Sequence, residues 1–171
     1  SYFSVQKCFG MPAGLGVWIL NERAIEVASE INHPSYHSVK ELTKMADKNQ
    51  TPETPNVLAI YLLGKIAEDM NRRGINAIRN ETNYKAALLY KTLEAHPLFD
   101  PAIQKSHRSK STAVANTAGD SSSSIKFLET LGMHIGSGYG DHKKSQIRIA
   151  NFPIHSKEQV ELLCDSLEKL G

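Results

Sequence analysis

The chain opens on strand-like residues, Ser1-Tyr2-Phe3-Ser4-Val5, and the glycines and proline of Gln6-Lys7-Cys8-Phe9-Gly10-Met11-Pro12-Ala13-Gly14 then force a loop. Apolar character resumes from Leu15 to Leu20, which predicts a buried strand, so the loop is expected to be held by strands on both sides. Asn21 is placed to cap a helix over about Glu22 to Ile31, broken by Asn32-His33-Pro34. Ser38-Val39-Lys40-Glu41 has the form of a capping box and predicts a short helix reaching about Asp47. Two prolines in Thr51-Pro52-Glu53-Thr54-Pro55 exclude helix there, until Pro55 takes the first helical position with Thr54 as its cap. A long apolar helix is expected over about Asn56 to Arg72, stopped by Gly74. A more amphipathic one follows, from Ile75 to Ala95 before Pro97. The pair reads as a bridge between two lobes.

Beyond it the periodicity alternates. Strands are expected at Thr112–Asn116, Met133–Gly136 and Gln146–Ala150, with helices at Ser121–Leu131 and Ser156–Leu170. Ser156-Lys157-Glu158-Gln159 is a second capping box. Strands separated by helices predict a small open-faced α/β sandwich. Trp18 and the apolar positions Leu58, Ile60, Leu62 and Leu63 read as core.

Composition changes this picture little. The 20 basic and 18 acidic residues among 171 leave a net charge of +2 with no basic cluster, which argues against a polyanion partner. Cys8 and Cys164 lie far apart with no metal-ligand spacing around them, so neither a disulfide framework nor a zinc site is expected, and a reducing cytoplasm fits. No apolar run approaches the roughly 20 residues of a membrane span, and the first residues lack the regions of a signal peptide. Ser1 follows no turn or cap, so further sequence is expected upstream.

One segment carries a candidate chemistry. In Ser4-Val5-Gln6-Lys7-Cys8-Phe9-Gly10-Met11-Pro12-Ala13-Gly14-Leu15-Gly16 a lysine ends a strand and is followed by glycines that admit close approach. A lysine in an apolar, partly desolvated site gives up its proton more readily and becomes a nucleophilic amine. On these residues alone, a surface lysine beside a turn explains the pattern as well. The segment resembles the lysine loop of class V aminotransferases, and the similarity runs on through Thr51-Pro52-Glu53-Thr54-Pro55 to Arg148. Within that class the likeness is to the phosphoserine aminotransferase group, with Gln50 inserted and Glu53 standing for a proline.

The resemblance implies an α/β fold: the end of the large cofactor domain of a fold type I transaminase (residues 1–55), bridging helices (56–96) and a small C-terminal α/β sandwich domain (97–171). It implies pyridoxal 5'-phosphate as cofactor and Lys7 as the lysine that binds it and carries the proton. It implies a homodimer in which Gln50 and Thr51 reach the cofactor phosphate of the neighbouring subunit. Arg148, on a strand that turns Gln146 the same way and Ile147 and Ile149 to the core, would grip a substrate α-carboxylate through a two-pronged pair. His142 and Lys143, with Lys144, would face a substrate phosphate or second carboxylate. The substrates implied are phosphoserine or a similar amino acid and a 2-oxo acid, with glutamate and 2-oxoglutarate as the common pair.

The family's aspartate for the pyridine nitrogen, its ring-stacking aromatic and its upstream phosphate loop all precede the lysine, so these 171 residues alone are not expected to be active. Cys8 reads as a small buried hydrophobe rather than a persulfide cysteine. His107-Arg108-Ser109 resembles an Asn-Arg-Ser segment and reads as structural. The competing readings are another class V enzyme, either an alanine or serine:glyoxylate-type transaminase or a lyase, and a non-catalytic α/β interaction module.

Overall fold

The computed structural model describes residues 1–31, 34–35 and 37–170. They form two compact units, one of Ser1–Lys7 with Met11–Ala67, the other of Cys8–Gly10 with the chain from Glu68 onward.

In the first unit, β1 (Tyr2–Ser4) and β2 (Gly16–Trp18) pair antiparallel, Phe3 opposite Val17. The loop between them is closed by Val5 N–H donating to the Leu15 carbonyl (3.3 Å) and Met11 N–H donating to the Val5 carbonyl (3.2 Å). Helices α1 (Glu22–Glu30) and α2 (Val39–Ala46) start where the sequence places them. Asn21 Oδ1 accepts from Ala24 N–H at 3.0 Å and Ser38 Oγ from Glu41 N–H at 3.2 Å, each satisfying a helix-end donor. The break expected at Asn32 and His33 lies outside the described residues.

Two expectations fail here. The third helix, α3 (Val57–Arg73), is capped by Asn56, whose Oδ1 accepts from Ala59 N–H at 3.0 Å. Thr54 is not the cap and Pro55 is not the first helical residue; the asparagine immediately before the helix supplies the acceptor instead. Nor do Trp18 and the apolar positions of α3 form core. Trp18 is 49% exposed and Leu58 67%, and α3 buries none of its residues. α1 and α2 likewise bury none of their residues.

The second unit has the layered core. α4 (Ile75–Ala95) begins at Gly74, whose positive φ of 80° suits glycine. A four-stranded antiparallel sheet follows in the order β3 (Phe99–Pro101), β4 (Thr112–Thr117), β6 (Gln146–Ala150), β5 (Gly136–Ser137). β4 opposes β6 with Val114 across from Arg148, and β5 opposes β6 with Gly136 across from Arg148. Helices α4, α5 (Ser121–Thr130) and α6 (Lys157–Leu167) cover one face. Leu89, Leu93, Ala115, Leu128, Ile147, Ile149 and Leu167 make the buried seam. The capping box at Ser156 and Gln159 forms in full. Strand β5 begins later than the expected Met133–Gly136, since its pairing is set by β6 and Met133 and Ile135 pack into the core on the way in. No helix among the described residues is long and apolar enough to cross a membrane.

Candidate functional site

Lys7 lies in the closed loop between β1 and β2. Val5, the point at which both loop-closing hydrogen bonds meet, is fully buried, so the backbone before Lys7 is fixed while its side chain projects outward and is exposed. No hydrogen bond or ion pair engages its ammonium among the described residues. The expected desolvation is therefore not supplied by this chain's described residues. The side-chain oxygen of the preceding residue, Gln6, is buried and has no hydrogen-bond partner among the described residues. A primary amine presented on a closed loop with no partner among the described residues fits an aldehyde-bearing cofactor. Cys8 is half-buried and its thiol is pushed up by burial, so it is no activated nucleophile.

Gln50 and Thr51 are exposed in the extended stretch after α2. Gln50 N–H donates to the Met45 carbonyl (2.9 Å), and the Thr51 hydroxyl donates to the Glu53 carbonyl (2.5 Å). Because Asn56 is the cap, this pair lies before the helix start in the chain rather than in its first turn. The Gln50 side-chain amide remains available as a donor.

Arg148 is the most fully built side chain of the set. Alternation along β6 turns it away from Ile147 and Ile149, which are buried. Its Nε donates to the Ser137 carbonyl at 2.6 Å, and its guanidinium carbon lies 3.7 Å from the centroid of the Tyr139 ring. The terminal nitrogens make no hydrogen bond among the described residues, which leaves the fork able to pair with a carboxylate. Glycines make the space. A Cβ on Gly136 would stand 3.1 Å from Arg148 Nη2, and one on Gly138 would stand 2.2 Å from the His142 carbonyl oxygen. The turn from Gly138 to Gln146 is closed by Gly138 N–H donating to the Gln146 carbonyl at 2.8 Å.

His142, Lys143 and Lys144 occupy that same turn with exposed side chains and no ion pair among the described residues. Their backbone is fixed, since the Lys144 and Lys143 carbonyls accept from the Ser121 N–H (2.8 Å) and hydroxyl (3.2 Å). One hairpin thus carries the arginine and the three basic side chains. Tyr139 and the Ser137 carbonyl, which orient Arg148, were not anticipated. The Gly136-Ser137-Gly138-Tyr139-Gly140 run marks a tight turn, but no sequence pattern announces which ring an arginine will stack on. Arg108 donates to Glu94 (2.5 Å) and to the Ile103 carbonyl (3.1 Å) and lies over Tyr90. Its hydrogen bond holds the Glu94 carboxyl below the usual range.

The sequence profile of Aminotransferase class-V matches residues 1–163. The chain belongs to the class-V aminotransferases. Among the members it is similar to are a phosphoserine aminotransferase from Rhodococcus opacus (strain B4), 27% identical over 98% of this chain and 47% of that protein. The crystal structure of a phosphoserine aminotransferase from Cytophaga hutchinsonii ATCC 33406 matches with a TM-score of 0.92 and 47% identity, over 99% of this chain and 49% of that one. That of ureidoglycine-glyoxylate aminotransferase from Bacillus subtilis matches with a TM-score of 0.86 at 20% identity, over 98% of this chain and 45% of that one, a likeness of fold. The chain spans about half the length of these relatives. The resemblance read from the lysine loop is borne out at the level of the family, and with it the fold type I aminotransferase architecture.

Proposed function

We propose that this chain supplies the lysine and the carboxylate-binding arginine of a pyridoxal-phosphate-dependent transaminase that moves an amino group between phosphoserine and a 2-oxo acid, with glutamate and 2-oxoglutarate as the partner pair. The observation that carries the reading is the pair of free terminal nitrogens on Arg148, fixed by Ser137 and Tyr139 on the hairpin that also presents His142, Lys143 and Lys144. A bidentate arginine suits the α-carboxylate shared by every substrate of such a reaction. The basic side chains suit a phosphate dianion or the distal carboxylate of glutamate.

The cofactor, when bound, supplies the electron sink that makes the substrate Cα–H acidic. Lys7 would hold it covalently through Nζ. Once released by an incoming amino group, the same amine would take the proton from the substrate Cα and deliver it to the cofactor's C4′ carbon, with the reverse transfer in the second half-reaction, one residue serving as anchor and as acid–base. Arg148 would fix the angle at which Cα is presented, and so the bond that breaks. The protein is proposed to act as a homodimer, Gln50 and Thr51 contacting the cofactor phosphate of the neighbouring subunit, with the Thr51 hydroxyl turning away from Glu53 to do so. Residues 1–55 are read as part of the large cofactor domain, 56–96 as bridging helices and 97–171 as the small domain.

The test is a transamination assay of the full-length protein with phosphoserine and 2-oxoglutarate against alanine and glyoxylate. Turnover with the first pair, lost in Arg148→Lys, is expected. Turnover with the second pair alone would contradict the substrate assignment.

A further inference from the structure

Arg148 shares its face of the four-stranded sheet with a second polar side chain, and the whole face belongs to the second unit. Side chains alternate along a strand, so Gln146 of β6 turns the same way as Arg148, about 7 Å nearer the 138–146 turn. Asn116 of β4 lies directly opposite Gln146 on one side. On the other side stands Gly138, whose N–H donates to the Gln146 carbonyl at 2.8 Å. One row along, Arg148 has Val114 on one side and Gly136 on the other. Glycines therefore flank both side chains along the same edge, and a Cβ on Gly138 would stand 3.0 Å from Gln146 Cβ. That edge of the face, from Arg148 to the basic turn, is left open by the two glycines.

The Gln146 side chain is held in place without being used up. Its Nε2 donates to Asn116 Oδ1 at 2.9 Å. That bond takes one of the two amide protons, and the second makes no hydrogen bond among the described residues. Gln146 and Asn116 are both half-buried, so the pair is built into the sheet rather than swaying in solvent. The charges on either side of it differ. Asp100 of β3 lies opposite Asn116 and puts a carboxylate at that end of the row. Gln146 is about 10 Å from it, two strand spacings away, so an anion is better placed over Gln146 than over Asn116. On the turn side, Lys143 and Lys144 outweigh Asp141 just before Gln146 in the chain.

We propose that Gln146 is a specificity-determining residue for substrates that carry a second oxyanion, a phosphate or a distal carboxylate: with the α-carboxylate on Arg148, the uncommitted Nε2 proton of Gln146 donates to that distal oxyanion, and Asn116 holds the amide at the required angle. The proposal rests on Arg148 being the α-carboxylate site. The strand sets the bases of the two side chains about 7 Å apart, a span that a substrate with a terminal oxyanion bridges and that serine or pyruvate does not. A neutral amide suits the position beside the lysines, since it adds a directed hydrogen bond to the anion without desolvating another charge.

The test titrates full-length, cofactor-loaded protein and its Gln146→Leu and Gln146→Glu variants with two matched pairs of ligands. Phosphoserine and serine are added to the pyridoxal form, 2-oxoglutarate and pyruvate to the pyridoxamine form, and the half-saturating concentration is read from the cofactor's absorbance. Gln146→Leu is expected to weaken phosphoserine and 2-oxoglutarate roughly tenfold, the loss of one hydrogen bond to a charged group. Gln146→Glu, which keeps the shape and adds a repelling charge, is expected to weaken them further. Serine and pyruvate are expected to keep their values in both. Equal weakening within each pair, or phosphoserine and 2-oxoglutarate bound by Gln146→Glu as by the parent, would overturn the proposal. So would a parent that favours the oxyanion-bearing member of neither pair. Gln146→Glu is isosteric and decides the matter alone if Gln146→Leu does not fold. A parent that ignores phosphoserine would remove the substrate assignment, while the 2-oxo acid pair still decides the role of Gln146. Failure of the Arg148 reading shows separately, as an Arg148→Lys protein that binds all four ligands like the parent.

Discussion

The Arg148 guanidinium is clamped between the Ser137 carbonyl, 2.6 Å from Nε, and the face of Tyr139, 3.7 Å from its carbon. One contact fixes the direction of the fork and the other its plane. Tyr139 is 71% exposed, so its stacking is a surface cation–π contact.

Such contacts at exposed sites contribute about 0.5–1 kcal/mol, which corresponds to about a two- to fivefold change in binding. Tyr139→Leu is therefore expected to raise KM for the 2-oxo acid by that factor while kcat changes little. Tyr139→Phe keeps the ring and is expected to keep KM. Steady-state kinetics of the three proteins distinguish a stacking role from a mere surface tyrosine, which would leave all three alike.

The reassigned helix start gives a second expectation. Asn56 Oδ1 caps α3, so Asn56→Ala is expected to cost about 1 kcal/mol, the usual loss for an N-cap side chain. Thr54→Ala is expected to cost little. Urea unfolding midpoints of the two variants, compared with the parent, decide which residue begins the helix.

That reassignment illustrates what the sequence makes legible. Helix starts at Asn21, Ser38 and Ser156 could be read because cap and first turn are contiguous in the chain and the bonds are local. At α3 three eligible residues, Thr51, Thr54 and Asn56, precede the helix, and only geometry chooses among them. The alternation of Gln146 to Ala150 told which way Arg148 would face, because one side of β6 is core. It could not tell that Tyr139 would stack on it, nor that β5 would start at Gly136, since both depend on how the 138–146 turn closes. β3 escaped notice because it ends in Pro101, a residue confined to sheet edges, and β3 is the edge strand. Trp18 and Leu58 were misread as core because an apolar side chain declares that it needs cover without saying whether this chain provides it. Lys85 shows the opposite failure: a lysine mid-helix reads as surface, and only the turn folded over it makes it core.

His155 gives the pH dependence. Burial first, and the Lys85 charge second, hold its imidazole below the ordinary value of 6.5, against a smaller opposing effect of a backbone hydrogen bond at Ala150. Its Nδ1 also accepts from Phe152 N–H at 3.3 Å, which requires the unprotonated nitrogen. The unfolded chain therefore binds a proton that the folded one refuses, so this contribution to stability is complete above about pH 6.5 and is lost as pH falls towards the lowered folded value. Urea midpoints at about pH 7.5 and about pH 5.5 are expected to fall less in His155→Asn than in the parent, since asparagine keeps an acceptor and does not titrate. An equal fall in both would show that His155 does not titrate between the folded and unfolded states in this range.

The central claim is that Lys7, exposed on its closed loop with an uncommitted amine, carries the cofactor. Borohydride reduction of the full-length, cofactor-loaded protein followed by peptide mass mapping tests it most directly. The account predicts the reduced pyridoxyl phosphate mass on the peptide containing Lys7, and no visible cofactor band in Lys7→Ala. The same mass found on another lysine, or a band that survives Lys7→Ala, would contradict it.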